Sequence, residues 1–248
     1  MQHPPNHCHL PHAARCWIAA AWLAATSGTL SVLADEHSMD VDGSVAFQSL
    51  AASKLGHRFL QEADAARSSI PERVWRGIRQ AGWRIRLSEF VVDAAPHLRN
   101  VRPRGWPTDF TWKHTDSVLL PSARLLVLAE KRLRRTGEVV CSDRVAGVFR
   151  HELGHAFDMV AGRPYRFRSS GPDFVEAYAH DVVRLSTDER EPLLYYLQSR
   201  PAGWQETFAE AFAVTLGGGS DVTKRQPFEQ AFPSVLERVQ RDIDEFVP

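Results

Sequence analysis

The chain has 248 residues, with 30 basic and 30 acidic side chains and no net formal charge. That balance speaks against a nucleic-acid partner, which would favour a basic face, and the length suits one domain with a sizeable core. Of the three cysteines, Cys8 and Cys16 fall in the N-terminal segment, so no internal disulfide framework is expected.

Residues 1–34 read as an export signal. Arg15 precedes an apolar run from Cys16 to Ala25, and small residues lead to Val32-Leu33-Ala34 ahead of Asp35. Thr26-Ser27-Gly28-Thr29 interrupt the run, which is short for a membrane span. A retained N-terminal anchor is the other reading of this segment. Cleavage after Ala34 would leave residues 35–248 as a single domain, secreted or periplasmic and without stable membrane insertion. His3, His7, His9 and His12 would be discarded with the signal.

From 44 to 67, apolar residues at Val45, Leu50, Leu55, Phe59 and Leu60 suggest one or two helices. Pro71 opens a short helix with Val74, Trp75 and Ile78 on one side, ending near Gly82. Trp83-Arg84-Ile85-Arg86-Leu87 alternates as a half-buried strand does, with Phe90-Val91-Val92 as an extension. Residues 93–117 are rich in Pro, Gly and Trp and read as a loop. Val118-Leu119-Leu120, a Pro121-Ser122-Ala123 turn and Leu125-Leu126-Val127-Leu128 predict a hairpin. Cys141 is expected as a small buried residue ahead of the next helix.

That next helix carries Arg150-His151-Glu152-Leu153-Gly154-His155-Ala156-Phe157-Asp158. His-Glu-x-x-His on a helix sets two imidazoles one turn apart on the same side, so that His151 and His155 can both reach one zinc at about 2.0–2.1 Å. Glu152 lies roughly 100° away around the helix, clear of the metal but within reach of a water held there. Asp158 shares a face with His155 and is a candidate to orient it. Val145, Val148, Phe149, Leu153, Ala156 and Phe157 recur at helical spacing, and Asp143 and Gly162 bound a predicted helix over 143–161. Gly154 costs about 1 kcal/mol inside a helix, so its place in the motif needs a packing or access reason.

Gly162-Arg163-Pro164 marks a stop. Residues 174–185 predict a helix carrying His180, read as an ordinary surface or core histidine rather than an oxyanion partner or ligand. Residues 188–198 predict another, carrying Tyr195 and Tyr196. Trp204 to Ala213 forms a third, largely apolar helix with Glu206 and Glu210 on one face, and buried carboxylates there want a metal or a charge partner. Position 161 is Ala, so a third ligand cannot come from a histidine there and must be sought elsewhere, with this helix as the best source. Gly217-Gly218-Gly219 ends it. The tail from Pro227 to Val247 is an amphipathic helix with Phe228, Phe232, Leu236, Val239 and Ile243 along one stripe.

His-Glu-Leu-Gly-His-Ala-Phe-Asp followed by Glu-Thr-Phe-Ala-Glu-Ala-Phe resembles the catalytic domain of anthrax lethal factor and the related, secreted Pro-Pro endopeptidases. The likeness is strong over 143–158 and 204–214 and weaker over 71–130. It implies an α+β, compact zincin-like metallopeptidase domain: a small mixed sheet, an active-site helix and a mostly helical C-terminal half. It also implies that Glu206 is the third ligand of one catalytic Zn2+ and that Glu210 supports the site. An edge strand beside the helix would pair with extended substrate; residues 125–129 are the candidate, an ordinary core strand being the other reading. The family carries a tyrosine seven residues before the ligand Glu, where this chain has Ser199. Tyr196 or Tyr195, just upstream, could donate to the oxyanion instead, the other reading being that no tyrosine does. The expected protein is a monomeric zinc endopeptidase acting on a protein or peptide through water activated by Glu152. The alternative is a catalytically impaired, zinc-dependent binding or toxin-accessory module.

Overall fold

The computed structural model describes residues 48–49, 55–103, 107–164 and 166–248. The expected export signal, residues 35–43, Val45 and Leu50 lie outside the described residues. Among those described, no helix is long and apolar enough to cross a membrane.

The chain begins with β1 (Gln48–Ser49), α1 (His57–Ser68) and α2 (Glu72–Gln80), the last two burying Phe59, Ala63, Ala66, Val74, Trp75 and Ile78. Then β2 (Arg84–Ser88) runs parallel to β1 and places Ile85 and Leu87 inward, as the alternation predicts. The expected extension at Phe90-Val91-Val92 is instead a helical turn, α3 (Val91–Ala94). Asp93 accepts a hydrogen bond from the Phe90 backbone N–H at 3.0 Å and Ser88 donates to the Phe90 carbonyl at 2.8 Å. These local bonds offer the backbone an alternative to the ladder.

β3 (Ser117–Leu120) and β4 (Leu125–Ala129) form the predicted antiparallel hairpin, with Ser117 opposite Leu128 and Leu120 opposite Leu125. The sheet order is β1-β2-β4-β3. β4 therefore lies inside the sheet, parallel to β2 on one side and antiparallel to β3 on the other. The expectation that 125–129 forms the edge is thus corrected in favour of an ordinary inner strand: among the described residues, the edge strand beside the motif helix is β3. Both sheet faces are covered. Leu119, Leu126 and Leu128 join the main core, while Val118, Leu120, Leu125 and Val127 pack with Val91, Val92, Leu98 and Trp112 on the other side.

β5 (Lys131–Leu133) and β6 (Val139–Cys141) make a separate two-stranded ribbon, closed by Gly137 at φ +84°. Cys141 is exposed on this ribbon, against the expectation of burial, because the ribbon faces solvent rather than the core.

The motif helix is α4 (Val145–Val160). Arg144, not Asp143, occupies its N-cap, and no side chain caps it. The Arg144 guanidinium turns instead to buried Asp116 at 2.9 Å, which Arg132 also approaches at 3.1 Å. After α4 come α5 (Pro172–Val183) and a short turn, α6 (Thr187–Arg190). The helix expected over 188–198 ends early, continuing as a 3-10 turn through Pro192 and then as irregular chain. α7 (Ala202–Thr215) carries the two glutamates, and the amphipathic tail divides into α8 (Val222–Ala231) and α9 (Pro233–Glu245) at Pro233. α9 packs on α5 and α7 through Val235, Val239 and Ile243. The α+β class, the small mixed sheet and the helical C-terminal half all stand as expected.

α4 and α7 meet through Gly154. A Cβ there would lie 2.8 Å from Ala209 Cα and 2.9 Å from Ala209 O, both backbone atoms that cannot rotate away. Close packing is therefore the reason for this glycine. Gly154→Ala should destabilise the metal-free domain by about 1–3 kcal/mol, the cost of overpacking, despite the roughly 1 kcal/mol that alanine gains in helix propensity. Chemical denaturation measures this directly, and a variant as stable as the parent would contradict the packing account.

Candidate metal centre

α4 and α7 lie side by side, which brings His151, Glu152, His155, Glu206 and Glu210 into one buried cluster. Glu206 Oε2 is 3.3 Å from His151 Nε2 and 3.4 Å from His155 Nε2. One donor atom from each of these residues falls within 4.8 Å of the others. All three atoms are buried and without a hydrogen-bond partner among the described residues. Three orphaned donors facing one another are costly unless something binds them. Two imidazole nitrogens and a carboxylate oxygen are a donor set that holds a catalytic metal with a position left open. The residues fit such an ion.

Supporting groups surround the three. Glu210 Oε2 accepts from His151 Nδ1 at 2.8 Å, which leaves the His151 Nε2 lone pair for a metal. Glu152 Oε1 accepts a hydrogen bond from Ser117 Oγ on β3 at 2.6 Å, while its Oε2 has no partner among the described residues. Burial pushes the Glu152 carboxyl above its usual range, only partly offset by the two imidazoles and Ser117. Burial alone would likewise depress His151, but the Glu206 and Glu210 carboxylates outweigh it and push this imidazole up to about 10. Glu206 shows the counterpart: burial would raise it, and the neighbouring His155 and His151 imidazoles hold it at about 2.

Asp158 sits elsewhere than expected. It accepts from the Ser169 backbone N–H at 2.6 Å and from Ser169 Oγ at 2.8 Å, tying the 168–170 turn to α4. His155 Nδ1 has no hydrogen-bond partner among the described residues, so Asp158 does not orient that ring by a hydrogen bond here. Burial lifts its carboxyl to about 6, with the Ser169 bonds opposing.

The two tyrosines part company. Tyr196, the first candidate for the oxyanion, is buried against Phe228 with ring centroids 4.9 Å apart. Tyr195 is the one that faces the centre. Its phenol is raised well above its usual value by burial and by Glu206, to which it hydrogen-bonds. The irregular chain after 193 explains the swap. Gly203 lets this chain lie against the first turn of α7, where a Cβ would sit 2.4 Å from Gln198 O and 2.9 Å from Tyr196 O. Ser199 is exposed. His180 is not part of the cluster, and its Nδ1 is paired with Ser234 Oγ at 3.0 Å. Ser117 and Ser220 carry no sequence signal of a role, since a lone serine beside an apolar run or a glycine run is unremarkable in composition.

No protein-family profile matches the chain, and no curated protein matches it in sequence. In structure it is similar to the Pro-Pro endopeptidase PPEP-2 from Paenibacillus alvei, with a TM-score of 0.52 and 18% identity, covering 77% of this chain and 94% of that chain. At this identity the likeness is one of fold.

A metal ligand must be deprotonated, whereas His151 in the metal-free cluster holds its proton up to about 10. Its stabilising contribution to the metal-free fold is complete below its unfolded value near 6.5 and is lost as pH rises through about 10. Metal uptake at neutral pH should therefore expel about one proton. Calorimetric zinc titrations in buffers of different ionisation enthalpy count it; zero protons released would contradict this charge state.

Proposed function

We propose that this chain is an exported, zinc-dependent endopeptidase, and that the observation carrying the reading is the convergence of three orphaned donor atoms beside Glu152. A protease with the same fold supports it, as does the buried His151, His155 and Glu206 set. When bound there, a zinc ion would supply Lewis acidity to a water and to the scissile carbonyl.

The chain's own residues divide the remaining work. Glu152, raised by burial, takes the proton of the attacking water and passes it to the leaving amine. Ser117 fixes one Glu152 oxygen and leaves the other for that proton. Tyr195 keeps its own proton because burial and Glu206 raise it, so it can donate a hydrogen bond to the developing oxyanion. The Tyr195 phenol could take the place that Ser199 cannot fill, which favours turnover over the reading of the chain as a zinc-dependent binding module. β3, the edge strand beside α4, is where an extended peptide would add as a further strand, with main-chain bonds giving affinity and side-chain pockets giving preference. Export rests on the composition of residues 1–34, and N-terminal sequencing of the secreted or periplasmic chain tests it against a start at Asp35.

Cleavage of a diverse peptide library by the chain from Asp35 tests the activity. Glu152→Gln should retain stoichiometric zinc and lose about 10²–10⁴-fold in kcat, the range a general base supplies. A variant that cuts at the parent's rate would remove Glu152 from that role. Tyr195→Phe should lower kcat by about 10²-fold or more with little change in KM, as expected for an oxyanion donor. Tyr196→Phe should leave kcat near that of the parent; the reverse ranking would mean that the wrong tyrosine has been assigned.

A further inference from the structure

The reaction leaves unexplained the Gly217-Gly218-Gly219-Ser220 turn, although it is wedged between both helices of the centre. Gly217 and Gly218 adopt φ +118° and +148°, values that only glycine takes without strain, and these turn the chain back along α7. A Cβ on Gly219 would lie 2.2 Å from Glu210 Oε1, and one on Gly147 of α4 would lie 2.0 Å from Gly219 O. Two glycines one on each side thus allow this contact, and Gly147 stands one helical turn before His151.

What the close approach delivers is Ser220, fully buried. Its backbone N–H donates to Glu210 Oε1 at 3.0 Å and its Oγ donates to Glu210 Oε2 at 2.5 Å. That same Oε2 accepts from His151 Nδ1 at 2.8 Å. A chain of hydrogen bonds therefore runs from Ser220 through Glu210 to His151, with both Glu210 oxygens engaged.

We propose that Ser220 is a positioning residue of the metal centre. It fixes the rotation of the Glu210 carboxylate, and through it the tautomer and ring plane of His151, so that Nε2 faces the ion. The inference rests on the reading of His151, His155 and Glu206 as zinc ligands. Outer partners of this kind set metal affinity by about 10–100-fold. The sequence context fits: the three glycines are needed to bring one serine back onto the helix that carries Glu210.

The test uses the full chain and zinc alone, in competition with a chromophoric chelator, with cobalt(II) absorption as a second readout of ligand geometry. Ser220→Ala should weaken zinc binding about tenfold or more and alter the cobalt spectrum. Ser220→Thr, which keeps the hydroxyl, should restore both. Glu210→Ala should also weaken binding, and Ser220→Ala should add nothing on that background, because the two residues act as one unit. Circular dichroism of the metal-free variants checks folding. Should the alanine variant not fold, Ser220→Cys keeps the volume with a weaker donor and is expected to show the same loss. Unchanged zinc affinity in the folded variant, or losses that multiply in the double variant, would overturn the role of Ser220 and leave the metal centre standing. A parent chain that takes up no zinc would overturn both.

Discussion

The contact between Gly154 and Ala209 is the constraint on which the rest depends. It lets α4 and α7 approach until one helix's imidazoles face the other's carboxylates. Were the helices spread by a single methyl, the donor atoms would separate. The aromatic layer of Phe157, Phe208 and Phe212 fills the adjoining space, with Phe157 and Phe212 centroids 5.3 Å apart. The same logic recurs at Gly147 and Gly219, where the absence of side chains admits the Ser220 turn. Close backbone approach, rather than many added polar groups, is how this fold builds its centre.

That closeness creates an electrostatic problem that a cation resolves. Glu152, Glu206 and Glu210 are all buried within one cluster, and burial of carboxylates is unfavourable without compensation. In the metal-free chain His151 offsets part of it by keeping a proton between two carboxylates. A divalent ion on the orphaned donors would take over this role and free the imidazole to be a ligand. The hydrogen bonds to Glu152 from Ser117 and to Glu210 from Ser220 then do different things. One leaves an oxygen available for proton transfer; the other leaves none.

Much of this was legible in the sequence because it rests on periodicity. The apolar residues from Val145 to Phe157 define the motif helix, and the alternation around Ile85 and Leu87 defines a strand, since both patterns report burial directly. The adjacency of Glu206 to the motif came from resemblance, and the structure places it there. Less legible were features decided by single polar side chains or by topology. Asp143 looks like a cap, yet Arg144 takes that position because Asp116 draws its guanidinium. Phe90-Val91-Val92 looks like strand, yet Asp93 and Ser88 bond the backbone into a turn. Among the described residues the edge position belongs to β3, which sequence cannot show because strand order is a tertiary property that no local pattern states. Tyr195 and Tyr196 are neighbours in sequence, and only the turn after 193 decides which one faces Glu206.

The most direct measurement is anomalous scattering at the zinc absorption edge from crystals of the chain grown with zinc. A single strong peak should lie within coordination distance of His151 Nε2, His155 Nε2 and a Glu206 oxygen, about 2.0–2.2 Å from each. The absence of a peak at this place, or a peak on other residues, would contradict the metal centre from which the proposed chemistry follows.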